Sequence, residues 1–478
     1  MTHIAIEERI GQQAREISSV EFDSRAVKGD SLFVAVPGTQ VDGHRFIPQA
    51  LAQGAAVVMC ERLPEERDEK VTYLKVESSQ KALGLALANF YDRPAEELVM
   101  VGITGTNGKT TVATLLHQLF TQLGVKAGLV STVKNLIGQT VKPSTHTTPD
   151  PKQLQELFRA MVDEGCEVCC MEVSSHALAQ DRTTGIPFKA AGFTNLSHDH
   201  LDYHGSFKAY RDAKKMLFDH LGKKAVAVVN LDDRNGKFMT QNSPARVKSY
   251  GLKSMADYTA RIIENTFEGL LLEIEGAQVW FRLRGSFNAY NLLLAYGIAV
   301  ELGYESEEVL QALSLLEGAE GRFQVMKADA AGKTGIVDYA HTPDALENVL
   351  ATIQDVNQGE GKIITVVGCG GNRDRAKRPE MARIAVERSD KAIFTSDNPR
   401  QEDPEFILDE MMTGVSAERL HQVLRITARR EAIRTAVALA QPGDIVLIAG
   451  KGHETYQEIA GIKHPFDDRE ILSEAMNT

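Results

Sequence analysis

The sequence predicts an α/β protein in three blocks, two of them parallel sheets covered by helices and one a smaller α/β unit. Three observations carry that expectation. The 478 residues divide at ~150 residues per domain into about three, and single cores stop growing beyond ~250–300 residues. Short apolar runs recur with helix-period stretches between them, the pattern of parallel strands joined by crossover helices. One of these runs leads into a glycine-rich loop that opens a helix, as at the ligand edge of an open α/β sheet.

In the first block, residues 1–97, a strand is expected at 31–36, then the turn pair Pro37-Gly38, a helical stretch near 46–53, Gly54 and a strand at 55–59. Turn residues fall between the periodic segments, as a small α/β unit requires. Asp92-Arg-Pro94 closes the block as a linker. The second block, 98–327, opens with the apolar run Leu98-Val-Met-Val-Gly-Ile103. Val112, Leu115, Leu116, Leu119, Phe120 and Leu123 then stand at i, i+3, i+4, i+7, i+8 and i+11, one face of a helix, with Gly124 suited to its C′ position. Further strands are expected at 167–173, 190–194 and 225–230. The third block, 328–478, has expected strands at 335–339, 362–367, 391–395 and 445–449, and a helix at 379–388. No internal repeat or low-complexity tract interrupts them.

Hydrophobic residues make up 43% of the chain and charged residues 25%, which excludes wholesale disorder. The net charge of −12 gives no general attraction to nucleic acid or anionic lipid, so an anionic ligand must meet a local positive site. No stretch reaches the ~18 apolar residues of a membrane helix, and MTHIAIEERI lacks the basic start and apolar run of a signal peptide. A cytoplasmic protein without membrane insertion is expected. Cys166 and Cys169 have CxxC spacing, but no second Cys or His pair completes a zinc site, so buried thiols beside a strand are the expectation.

The segment Gly105-Thr-Asn-Gly-Lys-Thr-Thr111 stands between the apolar strand and the helix. Glycines let backbone N–H groups turn toward a phosphate, and the helix N-terminus adds partial positive charge. Lys109 would reach the β/γ-phosphates and Thr110 would offer its hydroxyl to Mg²⁺. Ile103 stands where the common phosphate loop has its first glycine, so this is a variant cradle. Two later strands run into Glu172-Val-Ser-Ser-His176 and Thr194-Asn-Leu-Ser-His-Asp-His-Leu-Asp-Tyr-His-Gly205. Imidazole with hard oxygen donors beside an ATP loop favours Mg²⁺ or Mn²⁺ over thiolate-bound zinc. Composition does not select among His198, His200 and His204, each of which could equally be a hydrogen-bonding loop residue. Asn288 and Asn291, in Gly285-Ser-Phe-Asn-Ala-Tyr-Asn291, read in isolation as helix caps.

The loop resembles the GTNGKT loop of the Mur ligases and the related folylpolyglutamate synthases, which make amide bonds using ATP, and the resemblance extends across all three blocks. It implies the three-domain Mur ligase architecture: a small N-terminal uridine- and UDP-sugar-binding domain over 1–97, a central P-loop, parallel-sheet ATP-binding domain over 98–327, and a Rossmann-like amino-acid-binding domain over 328–478. Gly105, Thr106, Asn107, Gly108, Lys109, Thr110 and Thr111 would hold the ATP phosphates. Asn288, Asn291 and Arg322 of Gly321-Arg-Phe323 match the family's adenine and phosphate contacts, and Asp338 of Val337-Asp-Tyr-Ala-His341 its ribose contact.

Glu172 and His200 match the family's Mg²⁺ ligands, which with Thr110 would serve two Mg²⁺ ions. Register from Tyr210 and Phe218 matches Lys214, rather than Lys215, to the family's carbamylated lysine. Carbamylation would turn a cation into a carboxylate-like metal ligand; read without the family, Lys214 is an exposed helix lysine. Lys109, Glu172, His200 and Lys214 form the implied catalytic set.

In the N-terminal block the resemblance rests on Phe22-Asp-Ser-Arg25 and Gly38-Thr-Gln-Val-Asp-Gly43, where Phe22, Ser24, Thr39, Gln40 and Val41 would hold the uridine end of a UDP-muramyl dipeptide. Thr147, Thr148, Ser174, Gln180 and Arg182 match residues that hold its muramyl dipeptide, and His146 stands where relatives often have Asn. Gly368-Cys-Gly-Gly-Asn-Arg373, Asp397-Asn-Pro-Arg400 and Gly450-Lys-Gly-His-Glu454 each follow a strand and could meet at one sheet edge. Family members whose motif ends in Arg generally add meso-diaminopimelate, which carries one carboxylate more than lysine; a guanidinium fork pairs with that group at two points. Arg373 and Arg400 would clamp it, Glu454 and the Gly450 carbonyl would accept from the distal ammonium, and Asp397, Asn398 and Pro399 complete the motif. Without the family, Arg400 reads as a surface residue after a proline turn.

The implied function is an ATP-dependent ligase that adds meso-2,6-diaminopimelate to UDP-N-acetylmuramoyl-L-alanyl-D-glutamate through an acyl phosphate, in peptidoglycan precursor synthesis. Its partners would be small molecules, and the chain is expected to act as a monomer. Two other readings stay open, the lysine-adding ligase of the same family and a P-loop ATPase whose hydrolysis drives a conformational switch. Glutamate addition to folate would need a pterin pocket, which the uridine-type N-terminal block disfavours.

Overall fold

Short apolar strands, each followed by turn residues and then a helix, build most of the chain. Residues 3–11, 15–38, 41–144, 146–328, 332–357 and 360–477 are described by the structure, a computed structural model. They divide into two units, one comprising Met1–Gly102 with Val125–Lys189 and the other Ile103–Gly124 with Ala190–Thr478.

The first unit begins with β1 (Glu8–Ile10), β2 (Ser19–Glu21), β3 (Ser31–Val34), α1 (Ile47–Ala52), β4 (Ala55–Cys60), β5 (Thr72–Lys75) and α2 (Ser79–Phe90). The strands form a five-stranded sheet in the order β1-β5-β4-β3-β2. Its two faces follow from the period-2 alternation of a strand. Leu32 and Val34 pack with Ala82, Leu83, Ala86 and Leu87 of α2, while Phe33 and Ala35 pack with Ile47 and Ala50 of α1. Asp92 and Arg93, both at positive φ, lead into α3 (Pro94–Glu97) and β6 (Val99–Thr104).

The segment Ile103–Gly124 belongs to the second unit and carries α4 (Lys109–Gln122). The first unit resumes with β7 (Ala127–Val130), β8 (Lys134–Ile137), β9 (Thr140–Pro143), α5 (Pro151–Asp163), β10 (Val168–Glu172) and α6 (Ser175–Ala179). β10 pairs parallel to β7, and β8 and β9 fold back antiparallel. Asp150 caps α5 by accepting from the N–H groups of Lys152 and Gln153, with Pro151 in the first turn.

The chain enters the second unit along β11 (Phe188–Phe193), followed by α7 (Leu201–His204), α8 (Phe207–Asp219), β12 (Val226–Asn230), α9 (Gly236–Met239), β13 (Arg246–Gly251), β14 (Tyr258–Asn265), β15 (Leu270–Ile274) and β16 (Ala277–Phe281). β11 to β14 pair in parallel, and β14 to β16 extend the sheet antiparallel. α10 (Ser286–Glu301) is buried almost all round and packs on α4 and β12–β14; α11 (Ser306–Ser314) follows. In α4 the expected face is fully buried at Val112, Leu115, Leu116, Leu119 and Phe120, and Gly124 ends the helix at a φ of 82°.

The remaining sheet consists of β17 (Gln324–Ala328), β18 (Lys333–Asp338), β19 (Ile363–Val367), β20 (Lys391–Phe394), β21 (Val423–Arg425) and β22 (Ile445–Ala449), in the order β17-β18-β22-β19-β20-β21. All its pairings are parallel except β17 with β18. α12 (Pro343–Asn357), α13 (Lys377–Arg388) and α14 (Pro404–Met412) cover one face, and α15 (Arg429–Leu439) covers the other. A hairpin, β23 (Tyr456–Ile459) and β24 (Ile462–Pro465), precedes α16 (Asp468–Met476), which packs with α15. Because β18, β19, β20 and β22 run parallel, the polar loops that follow them leave from one edge.

The expected strands are present, most with ends shifted by one to three residues. The hairpins β8–β9, β15–β16 and β23–β24 were not anticipated. Their outer strands β9, β16 and β24 carry few buried residues, so no apolar periodicity marks them, although β15 alternates buried and half-buried positions. Their turns did leave a signal, since Glu275-Gly276 and Ala460-Gly461 both take positive φ, the conformation of a two-residue hairpin turn.

Candidate functional site

The phosphate-type loop lies in the second unit and is fastened to the segment after β11. Thr106 N–H donates to Asn195 O (2.8 Å), Asn107 N–H to Asn195 Oδ1 (2.9 Å) and Thr194 Oγ1 to Asn107 O (2.6 Å). Gly105 and Gly108 have φ of 147° and 86°; a Cβ would meet Thr194 Oγ1 at 1.9 Å in the first case and Asn291 Oδ1 at 2.6 Å in the second. Only glycine satisfies both demands. Lys109 Nζ lies over the loop and donates to the carbonyls of Gly105 (2.9 Å) and Thr106 (2.8 Å). Thr110 and Thr111 are buried in the first turn of α4, and Thr110 Oγ1 accepts from Arg322 Nη2 (3.1 Å).

A cavity of about 730 Å³ opens beside this loop, lined by Asn107, Gly108, Thr111, Phe287, Tyr290 and Asn291, with Arg322 and Asp338 among its other walls. That volume suits a small-molecule ligand, for which ~300–1,000 Å³ is usual. Asn288 and Asn291 do not cap α10, whose N-cap is Gly285 without a side-chain bond. Asn288 Nδ2 donates to Arg284 O (2.7 Å), and Asn291 Nδ2 to Asn288 Oδ1 (2.8 Å). Asp338, buried at the end of β18, accepts the N–H groups of Phe323 (2.6 Å) and Ala340 (2.7 Å); burial raises its pKa against the pull of Arg322. The sequence reading missed Asp344, which accepts from Asn107 Nδ2 (2.7 Å) and Ser197 Oγ (3.1 Å). Its signal was available, an acid in the first turn of a helix just after a strand end.

Lys214 departs from the exposed-lysine expectation: it is 1% exposed, and its Nζ donates to Gly105 O (2.7 Å). Burial, and then the nearby Lys109 charge, hold its pKa well below the ordinary lysine value, against the pull of Asp199. Lys215 instead pairs with Asp219. The three histidines have distinct settings. His200, at a φ of 54°, places Nε2 3.3 Å from Asp199 Oδ2; His198 faces Asp374 (3.2 Å); His204 lies against the Tyr210 ring. Burial pushes the Asp199 pKa up, but His200, His341, Lys377 and Lys109 together hold it below the usual value. Among the described residues no group of three His, Cys, Asp or Glu side chains is arranged to hold a metal ion.

At the carboxyl edge of the last sheet, the three other loops meet. Asn398 Nδ2 donates to Glu454 Oε2 (2.8 Å), and Lys451 Nζ donates to Asn398 Oδ1 (2.9 Å) and Glu454 Oε2 (3.0 Å). Gly371 N–H donates to Asn398 O (2.9 Å), and Arg400 Nη1 to Gly371 O (2.8 Å). Arg400 is therefore a half-buried part of this junction, not a free surface residue, whereas Arg373 is exposed beside it. Pro399 is buried, and Gly450 N–H donates to Asp338 O (3.0 Å). Burial would raise the Asp397 pKa, yet Lys451 and Arg429 hold it down; Glu454 is pushed up by burial and by Asp397. Lys451, whose motif alone does not single it out, is fully buried and pairs with Glu454.

In the first unit a second polar cluster forms. Thr132 donates its N–H to Glu172 Oε1 (2.8 Å) and its hydroxyl lies 3.0 Å from that of Thr147. Thr148 Oγ1 donates to Glu172 O (2.8 Å) and accepts from Ser174 N–H (3.0 Å). Arg182 donates to Thr148 O (2.9 Å) and, through Nε, to Gln180 Oε1 (3.0 Å). These bonds bring Thr147, Thr148, Glu172, Ser174, Gln180 and Arg182 together, with His146 exposed nearby in sequence. Phe22 and Val41 are exposed apolar residues, while Ser24 is buried and donates to Gln49 Oε1 (3.0 Å). Thr39 and Gln40 lie outside the described residues. The five cysteines are buried free thiols, Cys169 and Cys170 within β10 as expected. No helix among the described residues is long and apolar enough to cross a membrane.

Three family descriptions match the chain: "Mur ligase family, catalytic domain" over residues 16–91, "Mur ligase middle domain" over 103–299 and "Mur ligase, glutamate ligase domain" over 321–452. The chain is 52% identical over 469 residues to the UDP-N-acetylmuramoyl-L-alanyl-D-glutamate–2,6-diaminopimelate ligase of Phocaeicola vulgatus, covering 98% of this chain and 97% of that one. It is 51% identical to the ligase of the same name from Bacteroides fragilis, over 97% of this chain and 96% of that one. A solved structure of a ligase of that name superposes with a TM-score of 0.68 at 34% identity, covering 98% and 97%. A MurF ligase from Thermotoga maritima in complex with ADP shares the fold, with a TM-score of 0.63 at 18% identity and coverage of 96% and 97%. The mixed α/β architecture is thus the three-domain one of these enzymes, and the chain belongs to the Mur ligase family.

Proposed function

We propose that the chain is an ATP-dependent amide ligase that adds meso-2,6-diaminopimelate to UDP-N-acetylmuramoyl-L-alanyl-D-glutamate in peptidoglycan precursor synthesis. The observation that carries this reading is the 52% identity, over nearly the whole chain, to a ligase of that name. In this reading the blocks 1–97, 98–327 and 328–478 serve the UDP-sugar, ATP and the incoming amino acid. The enzyme works in the cytoplasm as a monomer on small molecules, with no nucleic-acid partner.

The D-Glu γ-carboxylate attacks the ATP γ-phosphate, forming an acyl phosphate and releasing ADP. Lys109 and the N–H groups of residues 105–111 stabilise the phosphoryl group in transit. Asn288, Asn291, Arg322 and Asp338 hold the nucleoside and phosphates. An unprotonated amine of diaminopimelate then attacks the acyl carbon, and the tetrahedral adduct collapses to the amide with loss of inorganic phosphate and a proton. Arg373 and Arg400 clamp the distal carboxylate, while Glu454 and the Gly450 carbonyl accept from the distal ammonium. Each such charged hydrogen bond contributes about 1.5–3 kcal/mol. In the first unit, Phe22, Ser24, Thr39, Gln40 and Val41 take the uridine end, and His146, Thr147, Thr148, Ser174, Gln180 and Arg182 the dipeptide.

The donor set suits Mg²⁺, of which the family resemblance implies two ions. Thr110 and His200 would offer it hard or borderline ligands, and Glu172 is a ligand that the family resemblance implies. Lys214, buried with its Nζ on Gly105 O, is the residue the family resemblance implies is carbamylated, which would make it an oxygen ligand in place of a cation. Bound Mg²⁺ would supply charge neutralisation at the phosphates.

The test is to incubate purified protein with UDP-muramyl dipeptide, ATP, Mg²⁺ and either diaminopimelate or lysine, and to weigh the product. The expected product carries diaminopimelate, and ADP forms only when every substrate is present. Full-rate ATP turnover without the other two substrates would instead support a conformational ATPase, and a lysine product the lysine-adding enzyme.

A further inference from the structure

Behind the loops proposed to read the amino acid, residues that the chemistry above does not use form an ionic cluster around one fully buried arginine. Arg378, in the first turn of α13, has a side chain that is 0% exposed. It engages Glu402 at two points, Nη1 to Oε2 (2.9 Å) and Nη2 to Oε1 (2.9 Å). Nη1 also donates to Glu410 Oε2 (2.5 Å), and Nη2 to Gly370 O (3.2 Å). Arg375 donates to Glu410 Oε1 through Nε (2.8 Å), so two cations face two carboxylates. The bond from Arg378 is the chief cause that lowers the Glu402 pKa below the usual carboxylate value.

The cluster joins two loops. Glu402 Oε1 accepts the N–H of Asn372, the residue just before Arg373. Glu402 N–H donates to the carbonyl of Pro399, the residue just before Arg400 (2.9 Å). Gln401 N–H donates to Asn372 Oδ1 (3.1 Å), and a Cβ on Gly371 would lie 1.9 Å from Pro399 O. Asn372 and Arg400 both take left-handed φ, of 52° and 51°. Such strained backbone persists only where the surroundings over-determine it, and the fork from buried Arg378 to half-buried Glu402 is the charge pair at its base.

We propose that Arg378 and Glu402 are positioning residues for amino-acid selection, fixing the spacing of Arg373 and Arg400 against the substrate's distal carboxylate. This rests on the diaminopimelate reading of the site. Lysine at 378 keeps the charge but offers a point donor where a planar fork spans Glu402 and Gly370. Gln at 402 keeps the shape but sets an amide N–H₂ against one guanidinium N–H.

The experiment compares wild type, Arg378→Lys and Glu402→Gln in steady-state ligation, with folding of each checked by thermal melting. The expected result for each variant is a KM for diaminopimelate raised about 10-fold, since small misplacements of binding groups cost up to ~10²-fold. KM for ATP and for UDP-muramyl dipeptide should stay within twofold of wild type, and the preference for diaminopimelate over lysine should narrow. Glu402 is partly exposed, so Glu402→Gln keeps the test open if Arg378→Lys does not fold. If folded Glu402→Gln retains the wild-type KM for diaminopimelate, or loses only kcat, the positioning role is overturned. If wild type itself does not incorporate diaminopimelate, it is the proposed function that fails.

Discussion

The loop at 105–111 and the junction of the loops at 368–373, 397–402 and 450–454 are both proposed to take anions, phosphate at one and carboxylate at the other, yet they are built from different material. At the first, backbone N–H groups, two glycines and the neutral side chains of Thr194 and Asn195 hold the loop's shape, and the two lysines on it, Lys109 and Lys214, donate to its carbonyls rather than pair with carboxylates. At the second, buried charges hold it: Arg378 on Glu402 and Glu410, Lys451 on Glu454, and Arg429 on Asp468. The difference teaches that a cradle made of backbone accepts a generic phosphate. Discrimination between two amino acids that differ by one carboxylate instead requires side chains fixed to within fractions of an ångström. Removing one partner of a buried ion pair leaves an uncompensated charge, so the second design is the more fragile.

The largest effect should follow from Asp468→Ala. Arg429 donates to Asp468 through Nε (2.8 Å) and Nη2 (2.7 Å), and both side chains are fully buried. Stability should fall by about 3–5 kcal/mol, read as a denaturation midpoint; a loss under ~1 kcal/mol, the range of exposed pairs, would break the contrast. Next, Lys109→Met should lower kcat by about 10²–10³-fold, as for loss of one transition-state donor, while leaving the melting temperature near wild type. A large loss of stability would show that the backbone cradle also depends on charge.

Arg400→Ala should raise KM for diaminopimelate about 10- to 200-fold, the value of one charged hydrogen bond, with ATP binding unaltered by calorimetry. Unchanged kinetics would remove the specificity argument. The smallest effect concerns pH. Burial lowers the pKa of His341 to about 4 and that of His453 to about 3. Unfolded, both titrate near 6.5, so between that pH and their folded pKa values the unfolded chain binds more protons. Stability is therefore present above pH ~6.5 and is lost as pH falls, by about 2 kcal/mol per histidine between pH 7 and 5. A His341→Gln variant should show a shallower loss in urea titrations at those two pH values, and an equal loss would reject the assignment.

Much was legible in the residues. β6, the glycine loop and α4 form one contiguous signal, because strand, turn and helix periodicity act over a few residues each. The parallel strands of the last sheet were legible for the same reason, as were the polar loops after them. The hairpins were not, since solvent-facing strands such as β9 lack apolar alternation. Asn288 and Asn291 looked like caps and instead face into the helix start, because Gly285 opens α10 one residue ahead of Ser286. Residues carried by resemblance, Lys214 above all, had no local signal, since a lysine on a helix is ordinarily exposed.

By itself the sequence determined the parallel α/β class, the phosphate-type loop and the order of the polar loops, since each of these is encoded in near neighbours along the chain. Only the tertiary structure decided that Lys214 is buried against Gly105, that Asp344 supports Asn107, and that Arg378 ties the loop of Arg373 to that of Arg400. Those facts depend on partners 24 to 237 residues apart, and the energy of a buried charge is set by what surrounds it in space, which no local pattern records.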